Sequence, residues 1–207
     1  MLGIVVLLGL LAFYLFLTPA RLRKFTWFNL LIATATLIFI IVYQHTVSDS
    51  LQRIGLDMAN LKQASRLWLI VTPVAFLIML LIGLLRKTIV WSWNILICLF
   101  PYVIWGGVQQ YITLGFVNVR LMEIGLPTLV VATVSALLFA CLHLFDKRLF
   151  PLTLILGFVF SMSFQAVPNL LPLAVTHGVL GVAFYYFIAG EDAWKTKLIE
   201  PLKRKKT

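Results

Sequence analysis

The residues best able to do chemistry in this sequence are two amides and two imidazoles set in long apolar segments. Gln109 and Gln110 are adjacent, and the two histidines follow in the segments Phe139–His143 and His177–Gly181. A neutral imidazole can accept a proton near physiological pH, and an amide can orient a water molecule although it is not a base. Two amides and two imidazoles are more than helix packing requires, so we predict that they share one polar pocket.

The segments that carry these residues are long enough to cross a lipid bilayer. The chain of 207 residues is 62% hydrophobic and 12% charged, with a mean hydropathy of +1.03, whereas a soluble domain has about 25% charged residues. Unpaired backbone groups are not tolerated in lipid, and the alternation typical of barrel strands is absent from the sequence. The expected fold is therefore all-α, a polytopic transmembrane helical bundle of about seven spans that forms one domain over residues 1–207. We predict these spans at about residues 2–18, 26–45, 67–85, 91–118, 127–145, 151–165 and 169–190.

The placement of the positive charges predicts the orientation in the membrane. The net charge of +10 comes mainly from residues that follow alternate spans and so lie on one side of the membrane. The positive-inside rule assigns that side to the cytoplasm and the amino terminus to the outside, in the inner (plasma) membrane. Residues 191–207 are expected to form a basic cytoplasmic tail that attracts anionic membrane lipid, and no nucleic acid is predicted as a partner. The basic residues of this side are Arg21, Arg23, Lys24, Arg86, Lys87, Lys147, Arg148, Lys195, Lys197, Lys203, Arg204, Lys205 and Lys206.

Several other residues have ordinary structural interpretations. The polar stretch 48–66 is expected to be an external connector with a short surface helix. Asn94 and Asn118 lie near predicted span ends, where water can satisfy their amides, and Cys98 and Cys141 are expected to be packing residues. Tryptophans near span ends are expected at the membrane interface, and they are Trp27, Trp68, Trp91, Trp93 and Trp194.

No acidic side chain falls within a predicted span. All seven carboxylates lie in predicted loops or in the tail. Two histidines without a third ligand or a carboxylate make a poor zinc site, so we predict neither a metal nor another cofactor.

Taken in order along the chain, the motifs resemble the CAAX protease and bacteriocin-processing family. Members of that family are intramembrane glutamic endopeptidases, prenyl-protein proteases among them, with Glu-Glu-x-x-x-Arg, Phe-x-x-x-His and His-x-x-x-Asn motifs on successive helices. Phe139–His143 fits the second motif and His177 fits the third, which is preceded by a similar Pro168–Pro172 segment. The resemblance covers residues 109–181 and implies a CAAX-type endopeptidase that acts on membrane-associated peptides or proteins.

The sequence departs from the family pattern at three places. Gln109 and Gln110 replace the two glutamates, Leu114 replaces the arginine, and Gly181 replaces the asparagine. What the family implies is a water activated by a glutamate and a histidine, which attacks a peptide carbonyl. The second histidine and the asparagine then hold the developing oxyanion.

For this chain, the resemblance implies that an active enzyme uses His143 as the base or borrows Glu123 from the loop after the fourth predicted span, and we favour His143. In that version His143 activates a water oriented by Gln110, while His177 and Asn169 stabilise the oxyanion. The missing glutamates leave an alternative open, a catalytically inactive pseudoprotease that acts as a membrane peptide-binding, immunity or regulatory protein. The predicted catalytic residues are Gln109, Gln110, His143 and His177, and the predicted binding residues are Phe139, Asn169 and Gly181.

These residues also have structural interpretations. His143 is explained as well by a position at the cytoplasmic interface beside Asp146, and His177 by an interhelical hydrogen bond. Gly181 is explained by close helix packing. Counted from the outer surface, Gln110, His177 and His143 lie about 15, 12 and 24 Å deep, so their depths are not expected to coincide. Adjacent helical residues point about 100° apart, so one glutamine at most should face the pocket squarely.

Overall fold

The computed structural model describes residues 26–144 and 146–199, with residues 3, 5, 6 and 9 as isolated positions near the amino terminus. All regular secondary structure within these residues is helical. Apart from these four positions, the predicted span at 2–18 lies outside the described residues. The same holds for the basic residues 21–24 and for residues 200–207 of the tail.

Six helices build the described part of the bundle. Helices α2, α3, α5 and α6 are long and apolar enough to cross a membrane, whereas α4 and the Leu30–Thr46 part of α1 are shorter apolar helices. The prediction of an all-α membrane bundle is thereby confirmed, and the number of spans stays a prediction. The bounds are Thr26–Thr46 for α1, Leu61–Arg86 for α2, Asn94–Glu123 for α3, Thr128–Cys141 for α4, Leu149–Ala166 for α5 and Leu171–Ala189 for α6. Both α3 and α6 contain π-helical turns, at Tyr111–Asn118 and Phe184–Ala189 respectively, and a further π-helical segment, Trp194–Ile199, follows α6.

The external connector is shorter than predicted. Residues 47–60 form turns, and residues 61–66 belong to α2 rather than to a separate surface helix. Trp68, expected at the interface, is 3% exposed, and its indole N–H donates to Ser163 Oγ at 3.1 Å. Its ring also packs against Phe160, with the ring centroids 5.0 Å apart. The expectation for Trp68 was wrong because α2 begins more than a turn earlier and the indole finds a hydrogen-bond partner inside the bundle.

Helices α3 and α6 cross at close range because a glycine on each helix leaves room for a residue of the other. A Cβ added to Gly178 would lie 2.5 Å from Val103 Cγ2 and 2.6 Å from the Val103 backbone nitrogen. A Cβ added to Gly106 would lie 3.1 Å from the Cβ of His177. Small residues at a crossing let membrane helices approach each other, and the contact aims the next turn of α3 at the His177 side chain.

Ion pairs connect the loop after α4 to the segment after α6. Arg148 donates to both carboxylate oxygens of Asp146 at 2.9 Å and to Glu191 at 2.9 Å, and Lys197 lies 3.2 Å from Glu191. Hydrogen bonding to Arg148 lowers the pKa of Asp146. Burial alone would raise the pKa of Glu191, but Arg148 and Lys197 outweigh it, and the pKa of that carboxyl is lowered.

Replacing Arg148 with glutamine is expected to destabilise the protein by about 0.5–1 kcal/mol at pH 7, since these pairs are partly exposed. Each carboxyl has a lower pKa in the folded state, so its stabilisation is present above the unfolded pKa of about 4 and is lost as the pH falls through the folded pKa. Melting temperatures of wild type and Arg148→Gln should therefore differ at pH 7 and converge in acid. The exposed neighbour Lys147→Gln serves as control, and an equal difference at pH 7 and pH 3 would exclude the carboxylates as its cause.

Candidate active site

The side chains of Gln110 and His177 meet between α3 and α6. Gln110 is 1% exposed, and its Nε2 lies 3.2 Å from Nδ1 of His177. An amide Nε2 only donates, so in this orientation Nδ1 accepts and the imidazole carries its proton on Nε2. His177 therefore presents an N–H donor on the ring nitrogen that faces away from Gln110.

His143 lies in the turn that follows α4, and its ring has the opposite tautomer. Its Nδ1 lies 3.0 Å from the backbone carbonyl of Phe139. A carbonyl oxygen only accepts, so Nδ1 must carry the proton and Nε2 holds a free lone pair. The two histidines thus differ in role, since one offers a base and the other a donor.

The ring of Phe139 contacts both imidazoles. Its centroid is 5.0 Å from the His143 ring and 5.2 Å from the His177 ring, both edge to face, and the imidazole centroids are 6.1 Å apart. Phe139 is 1% exposed, and a Cβ added to Gly157 of α5 would lie 2.9 Å from Phe139 Cδ1. Close packing on α5 therefore holds the ring that separates and orients the two histidines.

The depth mismatch expected from the sequence does not occur. The link between α5 and α6 is covered by the external connector, because Leu170 N–H donates to the Gly55 carbonyl at 2.8 Å and Asn60 donates to the Pro168 carbonyl at 2.9 Å. His177 Nδ1 lies 3.2 Å from Gln110 Nε2, and the centroids of the two imidazoles are 6.1 Å apart. The three side chains therefore lie together, whereas counting residues from the surface had separated them.

Gln109 points elsewhere, as the angle of about 100° between neighbouring helical residues requires. It is 7% exposed, and its side-chain oxygen has no hydrogen-bond partner within the described residues. The hydroxyl of Thr113 donates to its backbone carbonyl at 2.8 Å, at the start of the π-helical turns. Such turns are rare and often mark functional sites, and these begin directly after the glutamine pair.

Asn169 is engaged in the outer loops rather than beside the imidazoles. Its amide nitrogen donates to the Asp57 carbonyl at 2.9 Å and to Asn60 Oδ1 at 2.8 Å, while its oxygen accepts from Leu171 N–H at 3.1 Å. His177 lies eight residues further, about 12 Å along the helix. The observed contacts of Asn169 therefore fix the start of α6, and its binding role stays a prediction.

Gly181 lies against an aromatic ring. A Cβ added there would be 3.2 Å from Cδ1 of Tyr102 on α3. An asparagine at this position would meet the Tyr102 ring, so the glycine belongs with that tyrosine in the packing of α3 on α6. Its predicted binding role is likewise untested.

The carboxylates of Glu123 and Asp146 form ion pairs with arginines. Glu123, the last residue of α3, lies 2.5 Å from Arg53 and 2.8 Å from Arg120. It follows Gln110 by 13 residues, which is roughly 20 Å along a helix. Asp146 is held by Arg148, as described above. His143 is therefore the better of the two bases considered from the sequence.

An open cavity of about 840 Å³ lies on another side of α3. Residues of α1, including His45, line it together with the external connector and with Gly107, Val108 and Tyr111 of α3. Neither His143 nor His177 lines it. The candidate site is the pair of imidazoles, because His143 and His177 have ring nitrogens that can accept and donate protons. Within the described part of the chain, no three His, Cys, Asp or Glu side chains cluster as metal ligands would.

Asn118 was misjudged from the sequence. It is 0% exposed and donates to Ser161 and, at 3.4 Å, to Ser135. Water was expected to satisfy it because the span was predicted to end at residue 118, but α3 continues through Glu123. An amide within an apolar run was the available signal.

The family comparison agrees with the motifs. Residues 91–183 match the model of the family described as type II CAAX prenyl endopeptidase Rce1-like. No curated protein and no solved structure matches the chain. The matched segment contains the glutamine pair, the Phe139–His143 motif and His177. Residues 91–183 of this chain are therefore similar to the Rce1-like type II CAAX prenyl endopeptidase family, which is consistent with the resemblance seen in the motifs.

Proposed function

We propose that the chain is a CAAX-type intramembrane endopeptidase that hydrolyses a peptide bond of a membrane-associated peptide or protein. One observation carries the proposal, namely that two imidazoles pack against Phe139 with their ring centroids 6.1 Å apart. Their hydrogen-bond partners assign opposite tautomers to them. A base and a donor at this separation are what the hydrolysis of an acyl group by water requires.

In the proposed reaction, His143 Nε2 takes a proton from a water molecule whose oxygen attacks the peptide carbonyl carbon. His177 Nε2–H donates to the carbonyl oxygen as it becomes negative. The protonated His143 then gives its proton to the leaving amine, so that an acid and an amine are released. Gln110 holds the tautomer of His177, and its Oε1 can orient the attacking water.

The distribution of charge supports an orientation with the carboxy terminus in the cytoplasm, in the inner (plasma) membrane. The loop after His143 carries Lys147 and Arg148, and the segment after α6 carries Lys195 and Lys197. These residues would face anionic membrane lipid.

The test is an assay with purified full-length protein and a library of membrane-tethered peptides, run beside the double variant Gln109→Glu with Gln110→Glu. We expect wild type to cleave and the double variant to be slower by about 10²-fold. A carboxylate at position 110 cannot donate to Nδ1 of His177, so that imidazole moves its proton to Nδ1 and loses its donor on Nε2.

The second candidate is a pseudoprotease that binds membrane peptides without cutting them. The replacement of both glutamates by Gln109 and Gln110 favours it. Cleavage by the double glutamate variant alone would indicate an idle site of this kind. If neither wild type nor the double variant cleaves any peptide of the library, the peptidase proposal is overturned.

A further inference from the structure

A second polar cluster lies outside the proposed reaction, where α3, α4 and α5 meet. The amide nitrogen of Asn118 donates to Ser161 of α5 and, at 3.4 Å, to Ser135 of α4. Gln165 donates to the same Ser161 hydroxyl at 3.2 Å and to the Thr128 carbonyl at 3.3 Å. Asn118 and Ser161 are 0% exposed and Ser135 is 1% exposed, so three helices are joined by hydrogen bonds in the interior.

Packing does not by itself account for this cluster. The side-chain oxygen of Asn118 has no hydrogen-bond partner within the described residues. A buried amide with an unpaired oxygen is costly, and an apolar residue of similar size would avoid that cost. The hydrogen bonds to two different helices therefore point to a requirement for a particular placement of those helices.

The cluster and the histidine site are connected through α4. Ser135 and Phe139 are one turn apart and lie on the same side of α4, and His143, in the turn that follows this helix, bonds to the Phe139 carbonyl. The backbone carbonyl of Phe139 fixes the tautomer of His143, and the Phe139 ring touches both imidazoles. A shift of α4 along its axis would move all three groups together.

Helix α5 also connects the polar cluster to the Phe139 ring. Gly157 makes room for that ring, and Ser161, which bonds to Asn118, lies one turn further along the same face of α5. A Cβ added to Gly157 would also lie 3.2 Å from the Ala136 backbone. The contact between α4 and α5 is thus so close that a small change of register would displace the Phe139 ring, and Asn118 bonds to both helices one turn from it.

We propose that Asn118, through Ser135 and Ser161, is a positioning residue that sets the register of α4 against α5 and thereby the placement of His143 and His177. Its kinetic consequence rests on the proposed function, whereas its structural consequence does not. Misplacement of a reacting group by about 1 Å can lower a rate 10²-fold.

The structural test is NMR of protein labelled at its histidines. The chain has three, and His45, exposed on α1, is an internal reference. Ser161→Ala and Asn118→Leu should move the ring resonances of His143 and His177, because their placement against Phe139 changes, and should leave His45 in place. Thr153→Val is the matched control, since Thr153 is also a buried hydroxyl of α5 but bonds to carbonyls of its own helix.

A kinetic arm uses the same variants on a peptide that wild type cleaves. We expect kcat to fall about 10- to 10²-fold for Ser161→Ala with little change in KM, and Thr153→Val to match wild type. If Asn118→Leu does not fold, Ser161→Ala, which only removes an atom, decides. Reduced thermal stability with unmoved His143 and His177 resonances would overturn the proposal. If the variants move these resonances but wild type itself cleaves no peptide, the positioning role of Asn118 is supported and the peptidase proposal is overturned.

Discussion

Replacing His143 with asparagine is expected to lower kcat about 10²- to 10⁴-fold, the contribution of a general base. The asparagine amide nitrogen lies near the position of Nδ1 and can keep the hydrogen bond to the Phe139 carbonyl. The lone pair on Nε2, which would take the proton from water, is lost. KM should change little because the substitution removes an interaction made in the transition state rather than in the ground state.

Two comparisons make this result specific. His143→Ala removes both the base and the hydrogen bond to Phe139, so it should lower kcat at least as much as asparagine and also reduce thermal stability. His45→Asn changes an exposed histidine of α1 and should leave cleavage unchanged. Equal turnover by wild type and His143→Asn on the same peptides would exclude His143 as the base and would leave its hydrogen bond to Phe139 as its role.

The class of fold was predictable because the bilayer restricts what a chain can do. Lipid forces backbone groups to pair within a helix, so the apolar runs report most helices directly. Helix α3 begins at Asn94 and α4 at Thr128, each within a few residues of the predicted span. The start of α2 was missed by six residues because Lys62 and Arg66 looked like loop residues, although both are exposed on a helix that extends past the apolar run.

The members of the site could be named from the sequence, but not their geometry. The motifs pointed to Gln110, His143 and His177, which the structure brings together. Counting depth from the membrane surface separated His143 from His177, whereas the packing of the helices brings their ring centroids within 6.1 Å. The tautomers were also out of reach, since they depend on which atom faces each ring nitrogen. Local patterns report neither kind of long-range contact.

The outer end of α3 shows the same limit for charged residues. Arg120 follows the predicted end of the fourth span at residue 118, yet its side chain is 4% exposed. It forms an ion pair with Asp49, lies 2.8 Å from Glu123 and has Tyr43 and Phe116 rings within 5.7 and 5.9 Å of its guanidinium carbon. The external connector folds back over α3, and this fold buries charges that a linear count assigns to water.

Arg120→Met is expected to destabilise the protein by about 3–5 kcal/mol, because it removes the buried partner of the Asp49 carboxylate and leaves only the more distant, half-exposed Arg53 at 3.7 Å. The Asp49 side chain is 1% exposed, so water cannot replace the guanidinium. Arg53→Met is the matched control. Arg53 also pairs with Asp49 and Glu123 but is 46% exposed, and its loss should cost less than about 1 kcal/mol. Unfolding of the purified variants in detergent, followed by circular dichroism, measures both.

A double variant separates the pair from the packing around it. Asp49→Asn removes the buried negative charge that Arg120→Met leaves without its buried partner, so the double variant should be more stable than Arg120→Met alone. The coupling energy of the cycle then reports the electrostatic part, and residues in contact typically couple by about 0.5–3 kcal/mol. If the two changes simply add, the cost of Arg120→Met comes from lost packing against Tyr43 and Phe116. In that case, the buried charge of Asp49 is satisfied by its other neighbours.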